Sequence, residues 1–179
     1  FRMQSKEKNF AYIDGANLHK GIGDLGWKLD YRRFRVWLKD KYSVERAYLF
    51  IGLVPKHKDL YTFLQEAGFT LVFKETTIDD DGRVKGNCDA DLVLWVVRDS
   101  YENNCNNAII VSSDGDYAGL VKFLQEKKKL RVILSPNNKC SILLKRTNAP
   151  ITYLASQRSI LEYTSARLKE KAPDADKTA

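Results

Sequence analysis

Two apolar runs that each end in aspartate constrain this chain more than any other feature. Asn9-Phe-Ala-Tyr-Ile-Asp14 is apolar up to its last residue and then meets Gly15. Ala108 to Ser112 is strongly apolar and runs into Ser113-Asp114-Gly115-Asp116. A short run without polar alternation is what a strand covered on both faces requires. Val44 to Ile51, Phe69 to Phe73, Leu130 to Leu134 and the shorter Ile151 to Leu154 read the same way. Between these runs the apolar period changes. Asp30 can cap a helix carrying Tyr31, Phe34, Trp37 and Leu38. Leu60, Phe63, Leu64 and Ala67 fall at i, i+3, i+4 and i+7 ahead of Gly68. Cys88 to Tyr101 places Leu92, Trp95 and Val96 inward, and Tyr117, Leu120, Val121 and Leu124 share one helical side. Ser141 to Lys145 reads as a short helix, and the polar stretch from Lys74 to Gly86 as an exposed hairpin or loop. Strands alternating with helices make an α/β chain with a mostly parallel central sheet.

At 179 residues the chain is expected to hold one domain, over residues 9–165. Residues 1–8 read as an N-terminal extension or expression remnant, the remnant being the residues before Met3, and residues 166–179, charged and with Pro173, as a flexible tail. Phe1 to Asn9 lacks the apolar segment of a secretory signal, and no run approaches the roughly 20 apolar residues that span a bilayer. Cys88, Cys105 and Cys140 are odd in number and form no C-x-x-C, so neither a disulfide framework nor a zinc site is expected; a reducing cytoplasm suits them. With only His19 and His57, histidine-rich metal chemistry is also disfavoured. The net charge of +7 sits beside a local concentration of aspartate. That combination can attract a polyanion and still hold a divalent cation, although a solvated surface is the plainer reading of the charge alone.

In an open parallel sheet, ligands bind outside the carboxyl ends of the strands. Asp14, with Asn17 a turn beyond, ends the first strand, and Asp114 and Asp116 follow Ala108 to Ser112. Asp89 and Asp91 open the helix between them. Each aspartate has an ordinary alternative as a turn or helix cap. Their joint placement at one edge is the specific signal. Mg²⁺ and Mn²⁺ take oxygen ligands, and one or two ions could activate water and neutralise a leaving oxygen in phosphodiester hydrolysis. Clustered carboxylates otherwise repel and raise one another's pKa. Asp79 to Asp81 read as a solvated turn.

Tyr12-Ile-Asp14-Gly-Ala-Asn17, Lys85-Gly-Asn-Cys-Asp89-Ala-Asp91-Leu92 and Ile110-Val-Ser-Ser-Asp114-Gly-Asp116-Tyr117 resemble, in order, the signature blocks of the NYN domain family. This is the LabA-like branch of the PIN-like nuclease superfamily. The resemblance spans residues 9–155 and implies a three-layer α/β/α domain that cleaves RNA, in single-stranded form, at a Mg²⁺ or Mn²⁺ site. By position it makes Asp14, Asp89, Asp114 and Asp116 the catalytic, metal-binding acids. Asn17 would orient Asp14 or a substrate phosphate, and Ser112 would hold the last acidic loop. Asp91 is an additional acid, about 200° around a helix from Asp89, so both reach one pocket only if Asp89 precedes regular helix. Lys85 and Lys20, with Lys28 and Arg83 nearby, are candidates for holding phosphates, while Lys127 to Lys129 belong at the far end of a βαβ unit. His19 lies near the first acidic loop, where a surface or capping role is the simpler expectation. A homodimer is left open.

Gly21-Ile-Gly23-Asp-Leu-Gly26 matches the glycine spacing of dinucleotide-binding loops, but it does not directly follow the first strand. It is expected instead to be a flexible loop beside the acidic pocket. Two rivals to a nuclease remain. One is a catalytically silent domain that binds RNA or a protein partner. The other is a different phosphoryl-transfer enzyme, against which stands the lack of a D-x-D-x-T motif at Asp14.

Overall fold

A computed structural model describes residues 7–74, 77–78, 84–85 and 89–165. The chain runs β1 (Asn9–Asp14), α1 (Gly15–Gly23), α2 (Tyr31–Tyr42), β2 (Val44–Gly52), α3 (Lys58–Glu66) and β3 (Thr70–Lys74). A two-stranded antiparallel hairpin, β4 (Thr77–Ile78) and β5 (Val84–Lys85), precedes α4 (Asp89–Tyr101). Then come β6 (Ala108–Val111), α5 (Ala118–Glu126), β7 (Leu130–Ser135), α6 (Ile142–Lys145), β8 (Ile151–Tyr153) and α7 (Arg158–Leu161).

Six strands form one parallel sheet in the order β3-β2-β1-β6-β7-β8. The apolar strand runs are explained by burial on both faces. Every residue of β1 is buried, and successive side chains enter opposite cores. Ala11 and Ile13 pack with Leu18, Ile22, Phe34 and Leu38 from α1 and α2. Phe10 and Tyr12 pack with Leu92, Val96, Leu120, Val121 and Leu144 from α4, α5 and α6. The architecture is therefore three-layered, α/β/α.

The helix boundaries follow from local chemistry. Asp30 caps α2 by accepting from the Arg33 N–H at 3.1 Å. The turn after α3 needs a positive φ, which Gly68 supplies at +96°. Ser141 caps α6 through the Leu143 N–H.

The strand order has a functional consequence. From β1 the chain builds outward through β2 and β3, then returns beside β1 with β6 and builds the other way. The order reverses between β1 and β6, so the connections after these two strands leave on opposite faces and open a crevice at their carboxyl ends.

One expectation is corrected. The glycine-rich stretch is not a flexible loop, because Gly21 and Gly23 lie within α1 and only Gly26 occupies a turn, at φ +77°. Gly21 is buried where α1 meets the loop after β7; a Cβ there would lie 2.6 Å from Pro136 Cβ. Helical hydrogen bonding and this close packing hold the segment.

Candidate metal centre at the sheet switch point

Asp14 and the Asp114 loop leave adjacent strands at the crevice, and the first turn of α4 joins them. Each is positioned by identifiable local chemistry. Asp14, only 8% exposed, is both the last residue of β1 and the N-cap of α1. Its Oδ1 accepts the Asn17 N–H at 3.0 Å. Gly15 is required next: a Cβ there would overlap Ile51 Cγ2 and approach the Phe50 carbonyl oxygen to 2.8 Å. The absent side chain lets α1 start directly against β2 and keeps Asp14 at the bottom of the crevice.

The second acidic loop is held by five hydrogen bonds. Ser112 Oγ accepts the Asp114 N–H at 3.1 Å and lies 3.5 Å from Asp14 Oδ2, to which it donates. Asn17 Oδ1 accepts from the Ser113 N–H at 2.9 Å and from Ser113 Oγ at 3.1 Å. Asp114 Oδ1 accepts the Asp116 N–H at 3.0 Å, which turns the chain into the short 3₁₀ segment Gly115–Tyr117. Gly115 faces Ser141, and a side chain there would collide with its hydroxyl.

The carboxylates converge. Asp89, Asp114 and Asp116 each bring one oxygen within 4.8 Å of the others. Asp14 lies close enough to Asp89 and Asp114 for their charges to raise its pKa. Burial is the largest cause of that upward shift; the Asn17 N–H and the Tyr117 hydroxyl oppose it by stabilising the charged form. Tyr117 is fully buried, and its hydroxyl donates to Asp89 Oδ1 at 2.5 Å and reaches Asp14 Oδ2 at 3.3 Å. Burial first, and then the Asp14 and Asp89 charges, push its phenol far upward, so it remains a donor.

Oxygen donors alone, gathered from three chain segments, suit a hard divalent cation. The same set would be poor for zinc or copper, which favour nitrogen and sulfur. Among the described residues, Asp89, Asp114 and Asp116 could hold such an ion directly.

The structure thus brings Asp89, Asp114 and Asp116 together, with Asp14 beneath them and Ser112 and Asn17 holding the frame. Asn17 meets Asp14 through its backbone N–H, while its side-chain amide oxygen holds Ser113. Asp91 lies two residues along α4, outside the three-oxygen group among the described residues. Asp89 is already helical, so the two diverge around α4. Lys20 is exposed in the last turn of α1, and His19 lines a separate pocket along that helix. The Lys85 backbone belongs to β5, but its side chain, Arg83 and Asp79 to Asp81 lie outside the described residues. Lys129 sits at the opposite sheet edge, where its carbonyl accepts the Ala108 N–H.

Sequence reasoning placed Tyr117 in the core and missed its hydroxyl. The available signal was a tyrosine directly after Asp114-Gly-Asp116, since a buried phenol requires a polar partner.

This fold and acidic crevice are those of an α/β domain of the PIN-like class. The sequence profile of the NYN domain, a PIN-like nuclease family, matches residues 10–154, and the chain belongs to that family. A crystal structure of a protein of unknown function from Vibrio parahaemolyticus is similar in fold, with a TM-score of 0.73 at 22% identity. The match covers 86% of this chain and 96% of that one. No curated protein matches the sequence.

Proposed function

We propose that this protein is a metal-dependent endoribonuclease that hydrolyses phosphodiester bonds of single-stranded RNA in the cytoplasm. The observation that carries this reading is the convergence of Asp89, Asp114 and Asp116 within 4.8 Å at the sheet switch point, in a chain of a nuclease family. The overall charge of +7 favours a polyanionic substrate. Among the described residues no helix is long and apolar enough to cross a membrane.

Asp89, Asp114 and Asp116 would hold Mg²⁺ or Mn²⁺, with Asp14 completing the acidic set from below. A bound divalent ion supplies Lewis acidity toward a phosphoryl oxygen and lowers the pKa of a coordinated water. The remaining work belongs to the protein. Tyr117 fixes Asp89 through its hydroxyl, and Ser112 ties the Asp114 loop to Asp14. Asn17 locks Ser113, so the backbone carrying Asp114 cannot turn away. Lys85 and Lys20 are the proposed phosphate contacts outside this frame.

Cleavage of a labelled single-stranded RNA with Mg²⁺ or Mn²⁺, lost in EDTA, is the direct test. Asp114→Asn should lower the rate by about 10²-fold or more, the scale of losing a charge that acts in the transition state. Tight RNA binding in EDTA with no turnover in either metal would instead identify a silent RNA-binding domain.

A further inference from the structure

The Gly21-x-Gly23-x-x-Gly26 motif plays no part in the acidic frame, yet two of its glycines border a cavity. A pocket of about 440 Å³ is lined by His19, Ile22, Gly23, Gly26, Trp27, Lys28, Leu29 and Tyr31. Gly23 and Gly26 leave it open, since a Cβ at either position would meet nothing within 4 Å. Tyr31, half-buried, gives it an aromatic wall and the buried Trp27 lies at its floor, while exposed His19 and Lys28 stand at the rim. Its lining contains no carboxylate. Two other pockets, of about 620 and 540 Å³, carry Asp40, and in one case Glu7 and Glu45 as well. No carboxylate in the lining of the α1 pocket opposes a phosphate-bearing ligand, and Lys28 attracts one.

Its position links it to the acidic centre. Asp14 caps the start of α1, and His19 and Gly23 follow on the same helix. At a helical rise of about 1.5 Å per residue, they lie roughly 8 and 14 Å along the axis from Asp14. A single strand crossing the acids can cover that distance within a few nucleotides. An aromatic wall with a basic rim is how proteins hold a base of single-stranded nucleic acid without reading its sequence.

We propose that the α1 pocket receives one base of the single-stranded RNA, with Lys28 and His19 meeting the adjoining phosphates. This rests on the reading of the acidic centre as an RNA-cleaving site and adds to it a subsite that holds the strand in register.

The test is fluorescence anisotropy in EDTA with a labelled oligouridylate of about 12 nucleotides, and a set in which one base at a time is removed. Gly23→Leu fills the pocket from an open helical position, and Lys28→Glu provides an independent exposed change. For the wild type, one abasic position should weaken binding about tenfold, the scale of one lost base–aromatic contact. Gly23→Leu should weaken binding of the intact oligomer by about the same factor, and the abasic position should then add nothing. Lys28→Glu should also weaken binding, with a shallower salt dependence. Unchanged binding by a folded Gly23→Leu, losses that multiply, or no wild-type binding would overturn the pocket. Metal-dependent cleavage of the same oligomer by the wild type is scored separately. Cleavage with an inert Gly23→Leu defeats the subsite alone, whereas the expected binding pattern without cleavage defeats the nuclease reading alone.

Discussion

The hydroxyl of Tyr117 lies 2.5 Å from Asp89 Oδ1 and 3.3 Å from Asp14 Oδ2, joining an acid of α4 to an acid of β1. One phenol proton cannot serve both carboxylates equally, and the shorter contact assigns it to Asp89. Tyr117→Phe keeps the ring and removes this link. Groups that orient metal ligands typically affect affinity or activity by about 10–100-fold. Weaker Mn²⁺ binding by calorimetry and slower cleavage in that range are expected. An unchanged Mn²⁺ affinity would mean that Asp89 is positioned by other contacts.

Asp89 and Asp91 provide an internal comparison on one helix. Asp89 contributes to the three-oxygen group and Asp91 does not. Asp89→Asn should lose about 10²-fold or more in cleavage rate, as for a charge acting in the transition state. Asp91→Asn should stay within about threefold, or less than 1 kcal/mol of barrier. Equal losses would place Asp91 in the metal-binding set.

Asp14 trades stability for the site. Burial raises its pKa above the unfolded value, so the charged form is disfavoured in the metal-free fold. A carboxyl with a raised folded pKa contributes stability that is fully present below the unfolded pKa. That contribution is lost as pH rises through the folded value. Asp14→Asn retains an N-cap acceptor for the Asn17 N–H and removes the charge. In EDTA near neutral pH the variant should melt higher than the wild type, by about 2–4 °C per kcal/mol recovered. Lowering the pH through the carboxylate range should close the gap, and calorimetric scans across pH read it. Adding Mn²⁺ should reverse the order, because ligand at about 100-fold its Kd stabilises the loaded protein by about 2.7 kcal/mol.

A second buried tyrosine, Tyr12, lies on β1 two residues before Asp14 and has a purely structural part. The Tyr12 hydroxyl donates to Asp99 Oδ2 at 2.8 Å, and Asp99 is only 2% exposed. Tyr12→Phe leaves that oxygen without its tyrosine partner, which costs about 1–3 kcal/mol. Denaturant melts should show the loss as a lower midpoint at unchanged slope. Mn²⁺ affinity should not follow it, which separates this tyrosine from Tyr117.

Much of the architecture was legible because burial writes directly into sequence. Strands covered on both faces must be continuously apolar, and helices covered on one side must repeat near 3.6 residues, so nearly every element could be placed. Asp30, Gly68 and Ser141 marked helix ends because their chemistry is local. The glycine-rich segment was misread for the complementary reason. Glycine signals freedom in isolation, and only the Pro136 side chain of a distant loop shows that Gly21 is there for close packing.

The aspartates divide along the same line. That Asp14 ends one buried strand and Asp114 follows another within three residues is settled by residues within a few positions of them, so the sequence alone places both at carboxyl ends. It does not determine strand order, since parallel neighbours are joined through crossovers and periodicity carries no information about which strands pair. Only the tertiary structure sets β1 beside β6, makes their ends the switch point, and brings Asp89 to Asp114 and Asp116. It also decides that Tyr117, apolar by its helical position, spends its hydroxyl on two carboxylates far away in the chain. Such contacts are fixed by packing across the sheet, where no local pattern records them.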